Sequence, residues 1–339
     1  MAGTSRAQVL SARGGESASV PGFLGTPAVF PRCSKTAVAP WTSTDRRNGY
    51  AGMTLSVAFA LAAALSSAVN LMTQHSASVG APKGEKGWRL VAYLFRQPPW
   101  LLGWIAAAGA FAFQAVALHY GQLSVVQPIL VTELVFVLVL RRVWVRQDVA
   151  RAAWAAALVV CGALAAFLVA AEPTGGHSSP ETAEWLSALP VFGGAIALLA
   201  ALGTRGSPTR RSALLAAAAG LAWALTATFV KTATETLATY GVGGMLTRWP
   251  VYALAAAVIT GTLLDQSALH VGPLSVSQPL LAIVNPIASI ILSVWLFDER
   301  FTDSPARIAI AAVAMAVLAV GVIALSRTAP KDLEPSAEA

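Results

Sequence analysis

One carboxylate sits where water is absent. Glu133 lies near the centre of the run ILVTELVFVLVL. A charge at the centre of a bilayer costs about 2.5–3.5 kcal/mol on insertion scales, so such a side chain must face a protein interior or a wet cavity. It can carry a proton or a cation there, or it can sit protonated and hydrogen-bonded to a neighbouring helix. Two Gln-Pro pairs, Gln127-Pro128 and Gln278-Pro279, have a second kind of chemistry. Proline has no N–H and leaves a carbonyl free one turn earlier. The adjacent Gln can bind a solute at that gap, or it can act as glue between helices around a simple kink. Asn285-Pro286 repeats the motif once more. Asn70 is a polar group of the first apolar segment. Gln114 and Asp265 each stand five residues before a histidine. Asp265 can bind a cation, pair with Lys231 or His270, or meet water at a membrane interface. His119 and His270 read as caps of helix C-termini rather than as a metal pair, and Lys231 as a residue that snorkels from a helix end.

The pairing of these residues has a source. Residues 117–130 read ALHYGQLSVVQPIL and residues 268–281 read ALHVGPLSVSQPLL, with ten of fourteen positions identical at an offset of 151. Membrane composition alone matches Ala and Leu, but not His, Gly, Ser, Gln and Pro in one register. The similarity extends to Arg96-Gln97-Pro98 against Arg248-Trp249-Pro250, and to LSSAVN against LAWALT.

The elements that position these residues are long apolar blocks. The chain has 339 residues, 56% hydrophobic and 12% charged, where a soluble domain carries about a quarter charged residues. A bilayer core of about 30 Å needs about 20 residues of helix. Blocks of that length occur at about 53–73, 100–119, 121–140, 152–171, 185–202, 212–230, 251–269, 273–297 and 306–325. They are apolar on every side and rich in Ala and Leu, which excludes the alternating strands of a membrane barrel. Trp100, Trp154, Trp185, Trp249 and Trp295 lie near block ends, as an aromatic belt would place them. The fold class expected is all-α, a polytopic membrane protein of about nine transmembrane helices in two inverted-topology repeats. The divisions are a disordered tail over 1–52, repeat A over 53–171, a linker and connector helix over 172–211, repeat B over 212–327, and a polar tail over 328–339. Each repeat has four helices. Five crossings separate the duplicated hairpins, so they run in opposite directions.

Net charge is +7, but the charges lie between the blocks and act as topology signals rather than as a nucleic-acid face. Lys and Arg concentrate in the linkers after helices one, three and five. Positive-inside then places the C-terminus in the cytoplasm and the start of helix one outside. Six basic residues of the N-terminal tail oppose this: Arg6, Arg13, Arg32, Lys35, Arg46 and Arg47. Translation starting at Met53 would remove the conflict, and N-terminal sequencing tests it. Cys33 and Cys161 form neither a disulfide framework nor a metal site. No phosphate loop, catalytic triad or Cys/His metal spacing occurs, so no enzyme activity, cofactor or resident metal is expected.

The hairpin ALHYGQLSVVQPIL, its partner ALHVGPLSVSQPLLAIVNP and the WLFDER after helix eight resemble the drug/metabolite transporter superfamily, in its EamA-like and NIPA-like branches. In that group a small-residue turn, a Pro-containing helix and a terminal acid recur in each half. Glu299 is the second terminal acid, and Asp148 falls opposite it at the same offset. The resemblance covers about residues 53–327. Usual members have ten crossings, and nine is similar to the NIPA-type magnesium branch. The acid on helix two of that branch falls here at Phe111, and its Asn at Gln114. The single-repeat small multidrug relatives use a Glu in their first helix, where this chain offers Asn70 and Gln74.

The function expected is secondary transport of a small metabolite or drug-like solute by alternating access, in the cytoplasmic membrane. The alternatives are transport of magnesium or another divalent cation, and a membrane scaffold that transports nothing. Solute- or ion-binding candidates are Glu133, Gln127, Gln278, Asn285, Asn70, Gln114 and Asp265. Expected partners are a small solute or ion and the lipid bilayer, with a homodimer left open and no nucleic acid.

Overall fold

Helices follow from the composition. Ala and Leu lose little on entering a helix, and in lipid every backbone polar group must be satisfied within its own segment. The computed structural model describes residues 43–79, 97–144, 146, 148–177, 179–180 and 182–327. Ten helices are found there. They are α1 (Ser43–Val79), α2 (Pro98–Tyr120), α3 (Leu123–Leu130), α4 (Glu133–Val143), α5 (Arg151–Ala171), α6 (Thr182–Leu202), α7 (Pro208–Leu246), α8 (Trp249–Val271), α9 (Leu274–Phe297) and α10 (Pro305–Arg327). With α3 and α4 counted as one broken span, nine segments among the described residues are long and apolar enough to cross a membrane. The expected tails fall largely outside the described residues. The helix of the first span begins at Ser43, upstream of the expected boundary at Met53, although its apolar part starts at Gly52.

The helices pack as α1 on α2, α7 on α8, α5 on α10 and α7 on α9. The most buried span is α7. Small side chains permit this: Ala216, Ala218, Ala219, Gly220, Ala222 and Ala224 of α7 are all buried. At Gly220 a Cβ would lie 2.8 Å from Val284 Cβ of α9, so the two backbones approach as closely as glycine allows. Threonines that would otherwise strand a hydroxyl bond back to their own helix. Thr226, Thr228, Thr232 and Thr236 donate to the carbonyls four residues earlier. This pattern carries α7 far beyond the expected end at Val230, to Leu246 past a kink at Gly241 (φ 67°).

Two hairpins are built alike. Both α2 and α8 have 23 residues, start with a proline in the first turn and end at a glycine in extended conformation, Gly121 and Gly272. Ser56 of α1 donates to the Ala117 carbonyl at 2.9 Å, and Ser212 of α7 donates to the Ala268 carbonyl at 2.9 Å. Each serine lies against the following glycine: a Cβ on Gly121 would meet Ser56 Cβ at 2.6 Å, and one on Gly272 would meet Ser212 Cβ at 2.6 Å. The N-caps are Gln97 and Arg248, so the helix starts align at the offset of 151 and not through Arg96 and Arg248.

One end of the bundle is knitted together. β1 (Thr174–Gly175), just after α5, pairs antiparallel with β2 (Glu299–Arg300), just after α9. Thr302 N donates to the Ala171 carbonyl at 3.1 Å, and His177 N to the Phe297 carbonyl at 2.8 Å. Gln122 Nε2 reaches the Gly175 carbonyl at 3.2 Å.

Candidate functional site

Proline decides the shape of the third span. After Pro128 the regular ladder gives way: Val131 N bonds to the Pro128 carbonyl at 3.2 Å and Thr132 N to the Ile129 carbonyl at 3.0 Å, both tight three-residue steps. The Thr132 hydroxyl takes the same Ile129 carbonyl at 2.7 Å. The helix then restarts, with Glu133 in the first turn of α4. A span of 21 residues, Leu123–Val143, is thus broken at its middle, with a carboxylate at the positive end of the second half. Ser67 of α1, which packs on α4, is a hydrogen-bond partner of Glu133. One turn before the break, Gln127 is 1% exposed and its Nε2 finds no partner in the protein.

The second copy differs. α9 runs unbroken through Pro279 and Pro286, although the same Gln-Pro pair is present. Ser277, directly before Gln278, is 1% exposed and its hydroxyl lacks a protein partner. α3 and α9 pack on each other, with the start of α3 at the Glu299 end of α9, whereas Ser277 lies in the first turn of α9, toward the opposite end. Gln278 and Asn285 are half-buried. Ser289 hydroxyl lies 3.4 Å from Asn285 Oδ1. Asn70 and Gln114 are half-buried on α1 and α2. Asp265 is half-buried on α8 and its Oδ1 has no partner. Its expected pairing with Lys231 is not made, because that lysine has another partner.

The partner is Glu299. Its side chain is fully buried at the knitted end, where Lys231 Nζ lies 2.8 Å from Oε1. Leu123 N donates to Oε1 at 2.8 Å, Ser124 N to Oε2 at 3.1 Å and Ser124 Oγ to Oε2 at 2.6 Å. The carboxylate therefore caps the N-terminus of α3 from across the fold, 175 residues away in sequence. Burial alone would push the Glu299 carboxyl up. The Lys231 ammonium and the Ser124 donors outweigh it and hold the group below its ordinary value of 4.5. The ammonium also lies 4.3 Å from the Phe297 ring centre. Lys231 does not snorkel: it is 8% exposed, well inside α7.

From sequence, Glu299 is expected only as a terminal acid, and Lys231 as a residue near the end of its helix. The one sequence signal was Lys231 beside a long apolar run, since a buried charge needs a partner, and the sequence does not say which acid supplies it. His119, expected as a cap of its helix end, has an acidic neighbour instead. His119 Nδ1 lies 3.6 Å from Glu235 Oε2 on α7, and α2 ends at Gly121. Trp185 belongs to no belt. It is 3% exposed and stacks on Phe229, with ring centres 4.7 Å apart.

The outer surface decides the class. Leu158 is 73% exposed, Val169 74%, Leu186 71% and Ile105 69%, on helices long enough to cross a bilayer. Apolar surface on this scale is stable only against lipid. The chain is a polytopic α-helical membrane protein. It is a distant relative of an uncharacterised protein of Corynebacterium glutamicum, 29% identical over 277 residues that cover 81% of this chain and 95% of that one. No protein-family model matches the chain. No solved structure matches it. Among the described residues, no three His, Cys, Asp or Glu side chains gather where they could hold a metal ion. An apolar crevice of about 250 Å³ opens between α6, α7 and α9, lined by Phe192, Leu221 and Val284 among others, and offers a polar solute nothing.

Proposed function

We propose that the chain is a secondary transporter that moves a small polar solute across the cytoplasmic membrane by alternating access. The observation that carries the reading is the break at Val131–Thr132 in the middle of the third span. Irregular backbone at membrane depth is tolerated where it is buried in protein or lines a cavity, and broken helices at a repeat interface are where transporter sites form. Here the break sets Thr132 and Glu133 beside Ser67 of α1, with Gln127 one turn away. The unpaired Gln127 amide, one turn from the break, offers donors to a solute rich in acceptors. The Glu133 carboxylate suits a coupling proton or cation, or a cationic group of the solute.

The duplicated hairpins support the reading from a second side. In this reading the two copies run antiparallel, and the matched bonds Ser56–Ala117 and Ser212–Ala268 support it by giving both hairpins the same internal anchor. With the C-terminus in the cytoplasm, the knitted end around Glu299 faces outward and the opposite end faces the cytoplasm. Counterflow of a panel of amino acids, sugars, organic cations and nucleosides into proteoliposomes tests the proposal. A solute whose flux depends on the protein and is lost in Glu133→Gln, with unfolding behaviour unchanged, is the expected result. Flux equal to that of empty liposomes across the panel would reject it.

A further inference from the structure

The network around Glu299 joins the second copy of the repeat to the first. The offset of 151 carries Leu123 and Ser124 to Leu274 and Ser275, and it carries Asp148 to Glu299. An acid, and a Leu-Ser pair opening a helix, are thus present twice. The offset of 156 that relates Ser56 to Ser212 relates His75 to Lys231, so a basic residue is present twice as well. The two helix starts have one geometry. Val125 N and Val126 N bond to the Gln122 carbonyl at 3.2 and 3.0 Å, and Val276 N and Ser277 N to the Pro273 carbonyl at 3.0 and 3.3 Å.

Only one copy is closed. Glu299 is buried on the amides of Leu123 and Ser124. The start of α9 has no side-chain cap and Ser275 is exposed. The Asp148 side chain is 99% exposed, in an ion pair at 3.1 Å with the half-exposed Arg142. An exposed pair of this kind is weak and is given up easily. The 24 residues of α9 separate its start from β2 by about 36 Å of helix.

We propose that Asp148 is the counterpart of Glu299: it closes onto the backbone amides of Leu274 and Ser275 when the Glu299 network opens, so that the two ends of the bundle shut in turn. The proposal rests on the transport reading, because alternating access needs two closures that exclude one another. In this conformation one closure is made and the other is not.

The test uses the full chain in liposomes with C33A and C161A, so that added cysteines are the only ones. The pair V149C/S275C, which keeps the Asp148 carboxylate, is treated with a short thiol crosslinker, with and without E299Q. Opening the Glu299 network shifts the population toward the other state, and the crosslinking rate is expected to rise about tenfold. In a second arm, S124C reports opening at the far end through its reaction with a maleimide. Its labelling should rise with E299Q and fall with D148N, a response of opposite sign that a merely local role of Asp148 would not give. Cysteines at 149 and 275 that label singly but never crosslink, or S124C labelling that ignores D148N, would overturn the proposal. Crosslinking as expected without flux of any solute would retain the paired closures and remove the transport reading. Flux without crosslinking would do the reverse.

Discussion

Replacing Glu299 by Gln removes one charge and almost no volume. Lys231 would then be left 8% exposed with no anion at 2.8 Å. Removing one partner of a buried pair costs about 3–5 kcal/mol, most of it from the charge left unpaired. The Gln amide oxygen can still accept from Leu123 N and the ammonium, but its NH2 then faces Ser124 N–H, a donor. Lys231→Met alone leaves Glu299 with its three bonds to Leu123 and Ser124, and should cost less, about 2–3 kcal/mol. In the double variant no orphan charge exists, so its cost should fall short of the sum of the singles by about 2 kcal/mol or more. The assay is reversible unfolding of the purified protein in mixed micelles, for the wild type, both singles and the double. Additivity within about 0.5 kcal/mol would refute the reasoning, because it would mean that the two side chains do not depend on each other.

The same carboxylate predicts a pH dependence. Its folded value is below 4.5, so the stability it adds is present above that value and is lost as pH falls through the folded one. The difference in unfolding free energy between wild type and E299Q should therefore be flat near neutrality and shrink in acid below about pH 4.5, as followed by the same unfolding assay. Gly121→Ala should cost about 1–3 kcal/mol through its clash with Ser56 and be largely rescued by Ser56→Gly. Gly272→Ala should not be rescued by Ser212→Gly, because its Cβ would still lie 2.7 Å from the Pro208 carbonyl; melting temperatures of the four variants decide this. Gln127→Met should keep or raise stability, since it removes an unpaired buried amide, while lowering flux of any solute found. Equal losses of stability and flux would point to packing alone.

The helices were legible because the bilayer imposes a length and a composition, and nine blocks met both. The ALH–G–LS–QP duplication was legible because its residues are polar or conformationally special, and such residues do not recur in register by composition. Helix ends were read less well. The sixth apolar block ends at Val230, yet α7 continues to Leu246, and Thr232 and Thr236 satisfy themselves on their own helix. The break after Pro128 and the continuity through Pro279 arise from one sequence motif, so the neighbours of each helix decide between them. Glu133 and Gln127 could be found from burial alone. The Lys231–Glu299 pair could not, because its 68 residues of separation are bridged only by the packing of α7 against α9.

The measurement that bears most directly on the whole account is the sidedness of the two ALH histidines. His119→Cys and His270→Cys, in a background lacking Cys33 and Cys161, are labelled with an impermeant maleimide in right-side-out and inverted vesicles. Antiparallel copies predict labelling of position 119 from the outside and of position 270 from the cytoplasmic side. Labelling of both from one face would contradict the antiparallel halves, and with them the alternating-access reading.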